Sequence, residues 1–447
     1  MRFGTDGVRG VANVELTPEL VLALGRAAAG VLARRGSPFL IGRDTRLSGP
    51  MLEGALASGL ASAGVDVGLL GVLPTPGVAW RSAADSSPAA MISASHNPYA
   101  DNGIKFFAAG GRKLTDGLEA ELEAELDRVV AAPSTSTRMS SATGSIATTT
   151  ADDRYADARV DVLEGRTLDG LHVVIDCANG AGYRTAPDVL RRLGARIDVL
   201  FADPDGTNIN DGCGSTHPED LQKAVVTQGA DVGLALDGDA DRVLAVDHRG
   251  EVVDGDQIIA LCALDWRERG RLKDDTVAVT VMANLGFRQA MAGHGIRVVE
   301  TAVGDRYVLE ALEEGGWSMG GEQSGHVIFR ELATTGDGLL TGLEVLDVMA
   351  RTGKPLAELA SVMKRFPQVL RNVRVARREG LDEAHGFWAE VQVAEADLDG
   401  NGRVLVRASG TEPVVRVMVE APTADQAEGT ADRLCAVLAD ALGPPTP

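Results

Sequence analysis

Short apolar runs that end in polar, turn-forming residues alternate with helix-patterned stretches along most of this chain, and that alternation restricts it to few folds. In residues 1–130 it predicts helices near Pro18–Arg34 and Met51–Ala63, with strands at Phe39–Gly42, Val65–Leu70 and Ala89–Ile92. Strand, helix and strand in succession make βαβ units and a mainly parallel sheet. The rhythm returns between Val173–Asp176 and Val243–Asp247, and again from a helix near Asp256 through strands at Thr276–Val281 and Ile296–Thr301, with a helix near Gly286–Gly293 between them. From about Pro367 the order becomes strand, helix, two strands around Arg403–Glu420 and a final helix from Thr423, which fits a small α+β domain with an antiparallel sheet. The Ser/Thr/Ala-rich stretch Ala131–Ala151 reads as a linker. At 447 residues the chain is too long for one core. The expected fold class is α/β, with domains at 1–150, 151–254, 255–366 and 367–447.

Charge narrows the partners. A net charge of −21, from 43 basic and 64 acidic residues, argues against nucleic acid or an anionic membrane surface. Anionic small molecules remain suitable if basic residues are concentrated locally. Only six lysines occur, none in a Gly-Lys-Ser/Thr context, so arginines must do most of the anion binding and a Walker-type loop is absent. Cys177, Cys213, Cys262 and Cys435 are far apart and lack a C-x-x-C spacing, so neither a disulfide framework nor a zinc site is expected, and a reducing cytoplasm is the simplest setting. The N-terminal MRFGTDGVRG does not read as a signal peptide, and no apolar run is long enough to span a membrane.

Four stretches carry chemistry. In Ala89–Phe107 an apolar strand runs into Ser93, Ser95, His96 and Asn97, and Lys105 interrupts the apolar residues that follow. Ser95 suits a nucleophile or phosphate carrier, His96 a polar partner, and Lys105 a proton donor or cation; the competing reading is two strands joined by an Asn102-Gly103 hairpin turn. In Asp237-Gly238-Asp239-Ala240-Asp241-Arg242 three alternate carboxylates on a tight loop can converge on one hard cation. An EF-hand is excluded by Arg242 at its sixth position and His248 at its twelfth; a structural acidic loop compensated by Arg242 stays open. Gly320–His326 offers Glu322, Gln323 and Ser324 to sugar hydroxyls among glycines that permit close approach, or is a Gly-rich turn with a capping Ser and a packed His326. Between two strands, Arg407, Ser409, Gly410, Thr411 and Arg416 form either a phosphate cradle or a β-turn with solvated arginines.

These stretches, with Phe3–Gly10 (FGTDGVRG), Ile41–Arg46 (IGRDTR) and Val303–Glu310 (VGDRYVLE), resemble the α-D-phosphohexomutases over essentially the whole chain, most closely the phosphoglucosamine-mutase branch. The resemblance implies three similar mixed α/β domains and a smaller C-terminal α+β domain around a central cleft. It implies that Ser95 carries a phosphoryl group, that Asp237, Asp239 and Asp241 hold one Mg²⁺ against it, and that Arg9, His96, Lys105, Arg242 and His326 line the same cleft. Lys105, in a cation-rich setting, would act as acid or base toward the sugar hydroxyl. Arg306, Glu322, Gln323 and Ser324 would contact the sugar phosphate, and Arg407, Ser409, Gly410, Thr411 and Arg416 the phosphate that is not transferred. Glucosamine 6-phosphate and glucosamine 1-phosphate would then interconvert through a hexosamine 1,6-bisphosphate, supplying UDP-N-acetylglucosamine and cell-wall synthesis, with the C-terminal domain closing over the sugar. The expected partner is a small phosphosugar, not nucleic acid or membrane, and a homodimer is left open. Rival readings are a phosphomannomutase/phosphoglucomutase, a metal-dependent phosphatase and a non-catalytic sugar-phosphate sensor.

Overall fold

The computed structural model describes residues 7–34, 36–131, 143–149, 153–409 and 414–443. They form two compact units, Met1–Met282 with Ile296–Val362, and Ala283–Gly295 with Met363–Pro447. The first unit holds three sheets. Strands β1 (Val8–Val11), β2 (Phe39–Arg43), β3 (Val67–Val72), β4 (Ala89–Ile92), β5 (Asp101–Ala108), β6 (Arg112–Lys113) and β7 (Ile146–Thr148) make the first, in the order β1-β5-β4-β2-β3-β7 with β6 beside β5. The pairs β4–β2, β2–β3 and β3–β7 are parallel, while β1–β5 and β4–β5 are antiparallel.

Both faces of this sheet are covered, which is why its central strands read as unbroken apolar runs. Phe39, Ile41, Ala90, Ile92 and Phe106 pack on one face under helices Pro18–Val31, Gly49–Ser62 and Asp116–Ala131. Leu40, Ala89, Met91 and Phe107 point to the other, where helix Thr75–Ala84 is joined by Tyr155 and Ala181 from beyond residue 150. Helices Pro18–Val31 and Gly49–Ser62 touch backbone to backbone at Gly25 and Gly59; a Cβ at Gly59 would sit 2.2 Å from the Leu22 carbonyl oxygen.

The second sheet has β8 (His172–Asp176), β9 (Arg196–Leu200), β10 (Val232–Leu236), β11 (Val243–Asp247) and β12 (Val252–Val253), ordered β12-β11-β10-β8-β9. The third has β13 (Thr276–Thr280), β14 (Arg297–Thr301), β15 (Met319–Gly321) and β16 (Val327–Phe329), ordered β14-β13-β15-β16. Three loops singled out in the sequence leave the C-terminal ends of β4, β10 and β15, where open α/β sheets bind ligands.

The second unit has an antiparallel sheet of β17 (Gln368–Arg374), β18 (Arg403–Ala408) and β19 (Val414–Glu420), with helices His385–Asp397 and Ala424–Leu442 packed on it. Helix Leu285–Gly293, expected with the preceding α/β segment, belongs to this unit instead. Asn284 exchanges hydrogen bonds with the Phe366 backbone, and the Leu285 N–H donates to Glu420 Oε2 at 3.1 Å.

Two local expectations are corrected. Asn102-Gly103 is not a hairpin turn but part of β5, because the loop after β4 is Ser93–Ala100. The buried Asn102 side chain donates to Ser48, and Gly103 carries no side chain because a Cβ would lie 2.7 Å from the Ser93 carbonyl oxygen. The Ser/Thr-rich linker contains an edge strand, β7; residues 132–142 and 150–152 lie outside the described residues. No helix among the described residues is long and apolar enough to cross a membrane.

Asp176, fully buried at the end of β8, accepts the N–H groups of Ala178 and Gly214 and so shapes the loops beside the acidic segment. Burial pushes its carboxyl up to about 6, against those two hydrogen bonds. A raised carboxyl binds its proton more tightly in the folded state, so this group destabilises above pH 6 and that cost is relieved as pH falls toward the unfolded value of 3.8. Urea unfolding should show a gain of up to about 3 kcal/mol from this group between pH 7 and pH 4. Asp176→Asn should lack that increment, and parallel pH profiles for the two proteins would refute the assignment.

Candidate functional site

Ser95 sits in the first turn past β4, buried, with φ +53°. A left-handed serine costs roughly 1–3 kcal/mol and persists only where its surroundings over-determine it. Here they do. The Ser95 N–H donates to Ser93 Oγ at 3.0 Å, and its carbonyl accepts from Arg46 and from Asn210 Nδ2, each at 2.9 Å. Arg46 is fully buried; its guanidinium also donates to the carbonyls of Asn97 (2.8 Å), Asp101 (3.0 Å) and Pro98, while its Nε donates to Asp44 Oδ2 at 2.8 Å. One planar fork therefore holds the backbone of the Ser95 loop, a task for which an ammonium lacks donors. Ser93 Oγ in turn donates to Asp44 at 2.6 Å.

The acidic loop after β10 lies against this turn. Ser95 Oγ donates to Asp237 Oδ2 at 2.6 Å, and Gly238 is packed so close that a Cβ would stand 2.5 Å from the Ser95 carbonyl oxygen. Asp237, Asp239 and Asp241 are buried, with one oxygen from each within 4.8 Å of the others. Burial, then the charges of Asp241 and Asp239, pushes the Asp237 carboxyl well above its usual range. Burial would raise Asp241 too, but Lys105, His326 and Arg242 bring it well below. Asp239 Oδ1 and Asp241 Oδ1 are buried and accept no hydrogen bond. Three converging carboxylates with two buried oxygens that accept no hydrogen bond, one of them 3.7 Å from Arg242 Nε, suit a hard divalent cation, which also relieves the like-charge repulsion.

Lys105, in β5, donates to Asp239 Oδ2 at 2.9 Å and lies 3.5 Å from Asp241 Oδ2. The expected cation-rich setting is corrected, since Lys105 forms ion pairs with two carboxylates of the acidic loop, Asp239 and Asp241. His96 Nδ1 is 3.3 Å from Ser95 Oγ, and burial followed by the charges of Arg242 and Arg9 lowers its pKa, leaving a neutral ring near pH 7. His326 is buried between Asp241 (Nδ1, 3.6 Å) and Asp305 (Nε2, 3.2 Å). Burial opposes its charged form, yet these carboxylates raise it overall. Nε2 also accepts the Gly336 N–H at 3.0 Å, a bond available only to the ring protonated at Nδ1 alone.

The loop after β15 is tied to the acidic one by Val243 N–H donating to the Gly325 carbonyl at 3.1 Å. Glu322 Oε1 accepts from Gly304 N–H, Ser324 is exposed, and Gln323 Nε2 is buried with no hydrogen-bond partner. Arg306 is not brought to these groups by its contacts, which run to Asp116, Glu119 and Glu310. In the second unit, considered by itself, Arg407 and Arg416 face each other across β18 and β19. Burial, then the neighbouring guanidinium, lowers Arg407, so an anion there would be welcome. Ser409 is buried with its N–H on the Val414 carbonyl; Gly410 and Thr411 lie outside the described residues.

Sequence reasoning gave no role to Asp44, Arg46, Thr75 or Asn210. Asp44 and Arg46 had a signal, since with Arg43 they put three charges in the four residues after the apolar Phe39–Gly42 run; Thr75 and Asn210 had none.

Four family models match in register: phosphoglucomutase/phosphomannomutase alpha/beta/alpha domain I at residues 1–132, domain II at 153–250, domain III at 254–366, and the C-terminal domain at 370–437. A phosphoglucosamine mutase of Symbiobacterium thermophilum is 56% identical over 425 residues, 94% of each chain. Another, from Acidothermus cellulolyticus, is 54% identical over 99% of this chain and 96% of that one. Among solved structures, a phosphoglucomutase/phosphomannomutase family protein from Burkholderia thailandensis has a TM-score of 0.80 at 26% identity, covering 98% of this chain and 97% of its own. The N-acetylphosphoglucosamine mutase of Aspergillus fumigatus, solved with GlcNAc-6P and magnesium, shares the fold with a TM-score of 0.73 at 20% identity, over 99% of this chain and 96% of its own.

Replacing Arg46 tests the turn. Arg46→Lys removes the fork and leaves several buried carbonyls and Asp44 poorly satisfied, so urea unfolding should show a loss of about 3 kcal/mol or more. A loss under about 1 kcal/mol would mean that Ser95 is held by other contacts.

Proposed function

Because the chain belongs to the phosphoglucomutase/phosphomannomutase family, we propose that it is a four-domain phosphohexomutase that interconverts glucosamine 6-phosphate and glucosamine 1-phosphate, the reaction carried in the names of relatives 53–56% identical to it. The observation that carries the reading is Ser95 Oγ held 2.6 Å from Asp237 within a buried three-carboxylate loop. The proposed domains are 1–150, 151–254, 255–366 and 367–447.

In this reading Ser95 rests as its phosphate ester. The O1 hydroxyl of glucosamine 6-phosphate attacks that phosphorus; the P–Oγ bond breaks, a P–O1 bond forms, and the hydroxyl proton passes to a neutral base, Lys105 as its free amine or His326 as its neutral imidazole. The hexosamine 1,6-bisphosphate turns around, and Ser95 Oγ takes the phosphoryl group from O6 while a proton returns to O6. Asp237, Asp239 and Asp241 would hold Mg²⁺, whose charge stabilises the transferring group. Arg9 and Arg242, whose charges already act on His96, add positive charge beside Ser95. Glu322 and Ser324 would take sugar hydroxyls, and Arg407 and Arg416 the phosphate not in transfer.

Intact-mass analysis of the purified protein should find one phosphate that Ser95→Ala lacks, with mutase turnover reduced at least roughly a thousandfold. Native turnover in Ser95→Ala would refute the carrier role.

Selectivity is expected to rest on Gln323, whose buried Nε2 lacks a partner. An amide can hydrogen-bond the amine at C2 or a water beside it, and a C2 hydroxyl matches only in part. kcat/KM for glucosamine 6-phosphate should exceed those for glucose and mannose 6-phosphates by at least roughly tenfold, about 1.4 kcal/mol, and Gln323→Met should narrow that gap. Equal turnover of mannose 6-phosphate by the native protein would move it to the phosphomannomutase branch.

A further inference from the structure

Thr75 opens helix Thr75–Ala84, between Pro74 and Pro76, and its side chain is fully buried. It has no place in the chemistry above, yet it makes two bonds to a single residue of the acidic loop. Thr75 Oγ1 donates to Asp239 Oδ2 at 2.6 Å, and the Thr75 N–H donates to the Asp239 carbonyl at 2.9 Å. The main-chain bond fixes where Asp239 stands, and the hydroxyl bond fixes how its carboxylate is turned.

The two oxygens of Asp239 are therefore unequal. Oδ2 receives both Thr75 Oγ1 and Lys105 Nζ, the latter at 2.9 Å. Oδ1 is buried and accepts nothing. A carboxylate with one oxygen saturated and the other bare is oriented to give the bare one to a cation, and hydrogen bonds that aim a ligand contribute substantially to metal affinity. We propose that Thr75 is a positioning residue that turns Asp239 Oδ1 toward the divalent cation and fixes the acidic loop at the depth of Ser95; this rests on the metal-assisted reading of the site. The link to Ser95 follows from the sheet. Thr75 follows β3, two strands from β4, whose end carries Ser95, so one rigid sheet carries both the phosphate carrier and the donor that aims the ligand.

Lys105 alone does not suffice for this. It shares its ammonium between Asp239 and Asp241 on a long stem with many rotamers, whereas the threonine hydroxyl stands on a helix start with its own backbone bonded to the same residue. Loss of the hydroxyl leaves Oδ2 with one donor, and the carboxylate can rotate to satisfy itself at the expense of the cation.

The test compares Thr75→Val, which keeps the branched shape and the N–H but not the hydroxyl, with Thr75→Ser, which keeps the hydroxyl. Mn²⁺ serves as the probe, with free ion followed by electron paramagnetic resonance alongside steady-state kinetics. Thr75→Val should bind Mn²⁺ about 10- to 100-fold more weakly than the native protein, in line with the loss of other outer ligand partners. Its kcat should fall while KM for the sugar phosphate stays within about twofold, and Thr75→Ser should restore both affinity and kcat. Thr75→Cys, a weaker donor of similar size, should fall between them and replaces the valine variant if that fails to fold. Native Mn²⁺ affinity in the hydroxyl-free variant would overturn the inference, as would a serine variant as impaired as the valine one, which would make Thr75 a packing residue. Failure of the native protein itself to bind Mn²⁺ would instead refute the metal reading on which the inference stands.

Discussion

Three carboxylates buried within 4.8 Å of one another are the constraint on which the rest of the first unit depends. At an effective dielectric near 20, each such pair repels by roughly 3 kcal/mol. No single neighbour offsets that, and the structure spreads the compensation over three domains. Lys105 comes from β5 of the first sheet, Arg242 from the acidic loop itself, and His326 from the loop after β15. The charges have opposite consequences for neighbouring acids, with Asp237 raised and Asp241 lowered. The loop is thus polarised along its length, proton binding favoured at the Asp237 end beside Ser95 Oγ and disfavoured at the Asp241 end beside Lys105 and His326.

Compensation by distant groups works only if the loops cannot drift apart, and backbone hydrogen bonds prevent that. The Thr75 N–H bonds the Asp239 carbonyl, the Gly338 N–H the Ala240 carbonyl, and the Val243 N–H the Gly325 carbonyl. Glycines permit these approaches: a Cβ on Gly325 would stand 2.1 Å from the Val243 carbonyl oxygen, and one on Gly338 2.3 Å from that of Arg242. Side-chain bonds of exposed ion pairs would not serve, since they are worth little and exchange with water. Arg407 and Arg416, proposed to take the phosphate not in transfer, belong to the antiparallel sheet of the second compact unit.

The alternation of apolar runs with helix-patterned stretches made the layered α/β architecture and the C-terminal α+β sheet legible, because β4 and β10 are buried on both faces and apolar throughout, and β2 and β8 carry apolar runs with polar residues only at their ends. Ser95 and the Asp triplet were legible because polar residues at strand ends have no packing role. Illegible were contacts whose meaning arises only on folding. Asn102-Gly103 has the composition of a turn, yet its strand pairing is set by β1 and β4 on either side. Thr75 reads as an ordinary helix start until its partner, 164 residues away, is known. Lys105 was assigned cationic surroundings because the resemblance puts Arg9, Arg242 and His326 in the same cleft, whereas its pairing opposite Met91 brings it to the carboxylates of the acidic loop.

The scarcity of lysine bears on how so acidic a chain handles an anion. With six lysines against a net charge of −21, the average field of the molecule repels a sugar phosphate. Screening confines that repulsion to about 8 Å at physiological ionic strength, so it affects approach more than binding. In the proposed reading binding depends on guanidiniums held close together, as at Arg407 and Arg416, where burial and the charge of Arg416 disfavour the charged form of Arg407. Arg46 uses the same geometry inward, on carbonyl oxygens, to hold the Ser95 turn. A planar fork of fixed donors serves both ends because each presents several oxygens in a fixed arrangement, and a lysine's point charge would satisfy neither. In a chain with this composition, arginine geometry rather than net charge makes anion recognition and backbone strain at Ser95 compatible.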